Sequence, residues 1–292
     1  MAVRKWALAA VVALALSGVA RADDAPSTPA PDKSGFTLLN PTPVADLRSF
    51  CTDRPTKGTA PCTVDAGHVQ IESDLVNVTW DTSGGADTTT VLYTNPTLKI
   101  GITNTLDLEF NIAPYVTVAS KDRASGITTR AEGVGDLFVR AKLNLVGDDS
   151  GNVAIALDPY VKFPTANRQV GNGQVEEGIV VPIQIGLPAG WSFSTDPELD
   201  GLKNALSDGQ HANIAGLVAL SHALSKTVTL SLELWGDENF EPSGHVTQSS
   251  ADVGVAWIPA SHPNFQLDGG VNLGLNNHTP GAQAYVGVSQ RF

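Results

Sequence analysis

Cationic side chains are scarce in this sequence, with 18 Lys and Arg against 30 Asp and Glu. That balance excludes nucleic acid as a partner and argues against docking on an anionic surface, since both need clustered Lys and Arg. Cysteine is sparser still. Cys51 and Cys62 stand alone, with no His or second Cys pair at ligand spacing, so no metal site and no cofactor is expected. Catalytic signatures are missing too: there is no Gly-x-Ser-x-Gly elbow, phosphate loop, zinc-protease motif or EF-hand loop. Gly133-Val134-Gly135-Asp136 precedes a strand pattern rather than a helix, which excludes a dinucleotide fingerprint. Ser221 and His222 are adjacent in a predicted strand, so they point to opposite faces and cannot serve each other as nucleophile and base. The sequence predicts no enzyme, with a lipid-acting outer-membrane hydrolase that uses His211 or His222 as the remaining alternative.

What is present begins with an export signal. Arg4 and Lys5 precede an apolar run from Trp6 to Leu16, and Ala20-Arg21-Ala22 gives the small-x-small cleavage pattern. Residues 1–22 are read as a signal peptide, with cleavage near Ala22. Its loss removes three basic residues and no acid, so the net charge moves from −12 to −15. No later stretch is long and apolar enough for a transmembrane helix. Export to an oxidising compartment allows a Cys51–Cys62 disulfide, worth on the order of 3 kcal/mol for a loop of this size. Two free thiols are the alternative. Residues 23–66 are rich in Pro, from Ala25-Pro26 through Asn40-Pro41-Thr42-Pro43 to Arg54-Pro55. This segment is expected to lie in the periplasm or to tuck into a barrel mouth as a plug.

From Gly67 to Phe292 the period is two. Leu106, Leu108, Phe110 and Ile112 share one face, while Asp107, Glu109 and Asn111 share the other. The same alternation runs from Leu137 to Leu145 and from Val228 to Trp235. Weaker repeats bring the total to about 12 strands, an even number as bacterial barrels require. Short turns, such as Thr103-Asn104-Thr105 and Pro188-Ala189-Gly190, alternate with longer polar stretches at 80–88, 119–133, 164–176, 197–210, 237–249 and 276–281. Tight turns on one rim and long loops on the other are the pattern of an outer-membrane barrel. The fold expected is therefore all-β: a closed antiparallel up-and-down transmembrane barrel over 67–292, in the bacterial outer membrane. Closure follows because lipid offers a sheet edge no hydrogen-bond partner.

The inward face would carry Gln70, Glu72, Asp74, Lys99, Asp107, Glu109, Arg140, Lys142, Asp158, Lys162, Glu233, Asp252 and Asp268. Cross-wall pairs of Glu109 with Arg140 and Lys142 with Asp158 are expected. These side chains either line a polar conduit that selects solutes or fill the lumen with ion pairs. Trp80, Tyr93, Tyr115, Phe163, Trp191, Trp235, Trp257, Phe265 and Phe292 fall near strand ends, where interfacial girdles sit. They also suggest aromatic or hydrophobic small solutes. Phe292 ends an alternating last strand, the feature expected to be read by barrel-insertion machinery, with Gln290 departing from the usual apolar residue.

Several segments carry a family resemblance. Asn40-Pro41-Thr42-Pro43, Leu47-Arg48, Asp53-Arg54-Pro55 and Thr63 to Glu72 resemble the opening of outer-membrane proteins of the MetA-pathway of phenol degradation family. Gly133-Val134-Gly135-Asp136-Leu137 with Ala141-Lys142, and Val161-Lys162-Phe163-Pro164-Thr165 with Gly171-Asn172-Gly173, are similar to its later motifs. The resemblance runs from about Asn40 to Phe292. It implies a transporter-like outer-membrane barrel without catalytic residues, in contact with outer-membrane lipid and a small-molecule solute. Cys62 stands where the family tends to have an aromatic residue, which supports a local disulfide with Cys51. Ala166 stands where Gly is usual.

Overall fold

The computed structural model describes residues 32–292, so the signal-peptide reading lies outside the described residues. Alternation of apolar and polar residues produces strands throughout. Val69–Asp81 (β1) is one wall strand, and Ala86–Leu92 (β2) with Asn95–Thr103 (β3) forms the next. Leu106–Asn111 (β4) continues as Val116–Asp122 (β5), and Thr128–Gly133 (β6) continues as Leu137–Val146 (β7). Val153–Phe163 (β8) is unbroken. Glu176–Val180 (β9) with Ile183–Gly186 (β10), and Trp191–Thr195 (β11) with Glu198–Lys203 (β12), are again split. Gln210–Ala223 (β13), Val228–Asn239 (β14), Val246–Trp257 (β15), Phe265–Gly274 (β16) and Ala282–Arg291 (β17) complete the circuit. The segments form twelve wall strands, each antiparallel to its neighbours, and β1 pairs with β17 to close the cylinder.

Three of the five breaks within wall strands have a backbone cause. Pro114, Pro182 and Pro197 sit in them and cannot donate a ladder hydrogen bond. Breaks in adjacent walls adjoin, so their free groups meet. Tyr93 N donates to Tyr115 O at 3.0 Å, and Val181 N donates to Pro197 O at 2.9 Å. This matters in lipid, where an unpaired backbone group has no water to turn to.

The burial pattern is inverted relative to a soluble protein. Leu145 and Leu234 on the outer face are 51% and 56% exposed, whereas Lys142 and Asp158 inside are fully buried. Trp80, Tyr93, Tyr115, Phe163, Trp191, Trp257 and Phe292 are also exposed. Trp235 differs, because the Lys57 ammonium lies over its ring at 4.5 Å, on the lumen side.

Strands outrun the sequence reading. Regions taken as long loops contain β6, β12 and the ends of β14 and β15, so the true loops shrink to 82–85, 123–127, 164–175, 204–209, 240–245 and 275–281. Turns on the opposite rim occupy 104–105, 147–152, 187–190, 224–227 and 258–264. The difference between rims is thus smaller than expected. Thr128-Thr129-Arg130-Ala131-Glu132-Gly133 shows why: it is strand, yet it carries no alternating apolar face. Period-two hydrophobicity is imposed only where one face meets lipid.

Residues 32–66 have little regular structure and lie at the turn rim and inside the cylinder. Leu38 N donates to Ile102 O at 2.8 Å, and Thr42 N donates to Ala66 O at 2.9 Å. Cys51 and Cys62 are joined by a disulfide, with Cα atoms 6.5 Å apart.

Candidate functional site

The lumen is where the charged residues of the wall meet those of the disulfide-closed loop. Lys99 and Lys142 project inward from β3 and β7. Lys142 Nζ lies 2.9 Å from Glu109 and 3.0 Å from Asp53, and Lys99 Nζ lies 2.7 Å from Glu72 and also contacts Asp53. Asp53 thus completes a cluster of three carboxylates and two ammonium groups. Burial pushes the Asp53 carboxyl up, but Lys142 and Lys99 outweigh it and hold the group below the usual carboxylate range.

Arg54 makes the second anchor. Its guanidinium reaches Asp74 on β1 at 2.6 Å and Asp268 on β16 at 2.7 Å. It rests on the backbone of Gly287, where any side chain would collide with it. Pro55 packs likewise on Gly254, whose Cβ would stand 2.8 Å from the proline ring. Burial opposes the Arg54 charge, but Asp268 and Asp74 overcome it, so its pKa is raised. Tyr285 donates its hydroxyl proton to Pro55 O. Lys57 follows, with Nζ 2.6 Å from Ser250 Oγ and 3.4 Å from Asp252.

Backbone N–H groups of the loop also find wall carboxylates. Asp53 N donates to Glu72 at 3.0 Å, Lys57 N to Glu233 at 3.2 Å, Thr59 N to Asp196 at 2.6 Å and Val64 N to Asp107 at 3.0 Å. Near the turn rim, Asp65 accepts from Arg48 at 2.9 Å and from Arg291 at 3.0 Å. Arg48 also contacts Asp148. Burial opposes the Arg48 charge, yet Asp148 and Asp65 raise its pKa.

Of the wall residues singled out in the sequence, Arg140, Asp158 and Lys162 lie apart from the loop. Arg140 pairs with Asp158 at 3.3 Å, and Lys162 pairs with Glu176 at 2.5 Å. The expected cross-wall pairs are exchanged. Glu109 faces Arg140 in register, but it binds Lys142, and Arg140 takes Asp158 instead. The diagonal neighbour is within reach of long side chains, and Asp53 draws both lysines to one point.

Asp53, Arg54, Lys57, Asp65 and Asp196 were not among the lumen candidates. Asp53 and Arg54 carried one signal: adjacent opposite charges inside the Cys51–Cys62 interval. Asp196 carried another, as the end of the alternating run Ser192, Ser194, Asp196. Ser221 bonds Ser231 at 2.8 Å inside the lumen, while His222 stacks on Trp191 at 4.2 Å. His211 binds Asn204 at 3.0 Å beside the 204–209 loop.

The loop divides the lumen. A cavity of about 300 Å³ extends on the turn-rim side, bounded by Thr59, Asp196, Ser231 and Lys226. A smaller one, about 170 Å³, lies between Lys57, Asn77 and Asn272. Arg54, Pro55 and Thr56 line both. Residues 54–56 thus stand between two polar cavities and are fastened to the wall by the contacts of Arg54 and Pro55.

Residues 52–292 match the family described as "Putative MetA-pathway of phenol degradation". The chain belongs to this family. Among solved structures it is similar to an outer-membrane channel from Pseudomonas putida F1, at 13% identity and a TM-score of 0.59, covering 77% of this chain and 95% of that one. At that identity the likeness speaks for the shared barrel fold. Two more distant likenesses are the NanC porin and an anion-selective porin from Comamonas acidovorans. The first has 9% identity, a TM-score of 0.48 and coverage of 75% and 98%. The second has 10% identity, a TM-score of 0.36 and coverage of 77% and 98%. A comparison with curated proteins finds no match.

Proposed function

We propose that this family member is an outer-membrane channel for passive uptake of small polar solutes, held closed by its own residues 50–66. The observation that carries this is the division of one polar lumen into two cavities by a strap anchored through ion pairs. A barrel serving stability alone gains nothing from unfilled polar space, whereas a conduit needs it. The outward leucines and valines support residence in the bacterial outer membrane, and the exposed aromatics support two interfacial bands. Because those rings face outward, they speak for lipid contact rather than aromatic cargo. In this reading the turn rim faces the periplasm, Phe292 is the recognition point for insertion machinery, and no reaction is catalysed.

Planar-bilayer recording tests the reading. The intact protein is expected to show rare or small conductance steps, and a variant lacking residues 50–62 large and frequent ones. If neither conducts, the barrel is structural and the channel reading fails. The acidic excess predicts cation preference in the open variant, and a reversal potential showing anion selectivity would contradict it.

A further inference from the structure

We infer that the larger cavity is a binding site for a small solute bearing ammonium groups. Two wall carboxylates line it. Asp196, at the β11–β12 break, is 4% exposed, and so is Glu233 on β14. Each accepts one backbone N–H from the strap, at 2.6 and 3.2 Å respectively. Each then keeps a second oxygen, Asp196 Oδ1 and Glu233 Oε2, buried and without a hydrogen-bond partner. A buried carboxylate oxygen left in that state calls for a donor.

The protein's own cations do not supply it. Among the described residues no ion pair reaches Asp196 or Glu233. Arg54 is committed to Asp74 and Asp268, and Lys57 to Asp252 and Ser250. Glu233 also stands directly opposite Asp252 in register, so two like charges share one position of the wall. An added positive charge relieves both defects. The remaining lining includes the hydroxyls of Ser194, Ser221, Thr229 and Ser231, which can bond either way, and Lys226, which is exposed on the 224–227 turn and pairs with neither acid among the described residues.

Size and spacing narrow the class. A volume of about 300 Å³ is at the small end for ligand pockets. Only β13 separates the wall strands that carry the two acids, and Glu233 stands level with Ser194 across it, two residues short of Asp196, so their backbones lie roughly 12 Å apart by strand spacing and rise. Side chains reaching inward shorten the gap to the length of a short aliphatic diamine. Carboxylates at both ends and hydroxyls between them fit a dication better than a neutral or anionic molecule.

This inference rests on the channel reading only for its biological use, and its test is separable from it. Mature protein in detergent is titrated calorimetrically with putrescine, butanediol and succinate, which share a four-carbon chain but differ in charge. Putrescine alone is expected to bind. Asp196→Asn and Glu233→Gln are each expected to weaken it at least tenfold, the scale of a lost hydrogen bond to a charged group. Asp122→Asn, on the far rim, is expected to leave it unchanged. Equal binding of all three compounds, no binding of putrescine, or undiminished binding by both variants overturns the site. Uptake into proteoliposomes is read separately. Uptake without saturable binding keeps the channel and removes the site, and binding without uptake does the reverse.

Discussion

Replacing Arg54 by Ala should unlatch the strap. Arg54 is the sole ion-pair partner that Asp74 and Asp268 have among the described residues, and both carboxylates are nearly inaccessible to water. Removing one partner of a buried pair typically costs about 3–5 kcal/mol, because the remaining charge stays desolvated. The cost falls on the docked state, since undocking the strap lets water reach both acids. At about 1.4 kcal/mol per factor of ten, the undocked population should rise by roughly two to three and a half powers of ten. Two assays read it. Single-channel recording should show a matching rise in open time. Trypsin should cleave after Lys57, which lies three residues beyond Arg54 in the strap and is held inside the lumen in the docked state. Arg54→Lys should be intermediate, since an ammonium cannot grip both carboxylates as the guanidinium fork does. Unchanged conductance together with unchanged protection of Lys57 would refute the reasoning.

Three further outcomes follow from the same contacts. Replacing Cys51 and Cys62 together by Ser removes a short cross-linked loop worth on the order of 3 kcal/mol, and should expose Lys57 to trypsin at lower temperature than in the parent. The depressed pKa of Asp53 stabilises docking fully above the ordinary aspartate value, about 3.9. That contribution is lost as pH falls from the ordinary value through the lower folded-state pKa, so open time should stay flat on acidification to about 3.9 and rise below it, whereas Asp53→Asn should open the channel at neutral pH. Leu232→Arg places a cation on the outer face of β14 and should cost about 2–4 kcal/mol near the bilayer midplane; equilibrium unfolding into urea from lipid vesicles would show it, and a neutral result would move that face out of lipid.

The barrel was legible because lipid enforces a pattern. Leu106 to Ile112 alternates strictly and Leu137 to Leu145 does so apart from Phe138, and the strands stand there with the expected faces. The pattern stops where the wall leaves the hydrocarbon, so β6 and β12 went unseen. The inward direction of Lys99, Lys142 and Glu109 could be read from parity alone. Their partners could not, because Asp53 approaches from a segment far away in the chain and no periodicity links it to the wall. Asp53 and Arg54 were visible only as charges inside a cysteine-bounded interval, with no sign of which wall acids they would meet.

Arg54 sits across the joint at which the chain's first and last wall strands meet. Asp74 belongs to β1 and Asp268 to β16, with β17 and its Gly287 lying between them beneath the guanidinium. Both bonds can therefore exist together only after the two ends of the wall have come together. The side chain that fastens the strap is also a rivet that can be set only in a finished ring, so a half-assembled barrel is left with its bore unguarded.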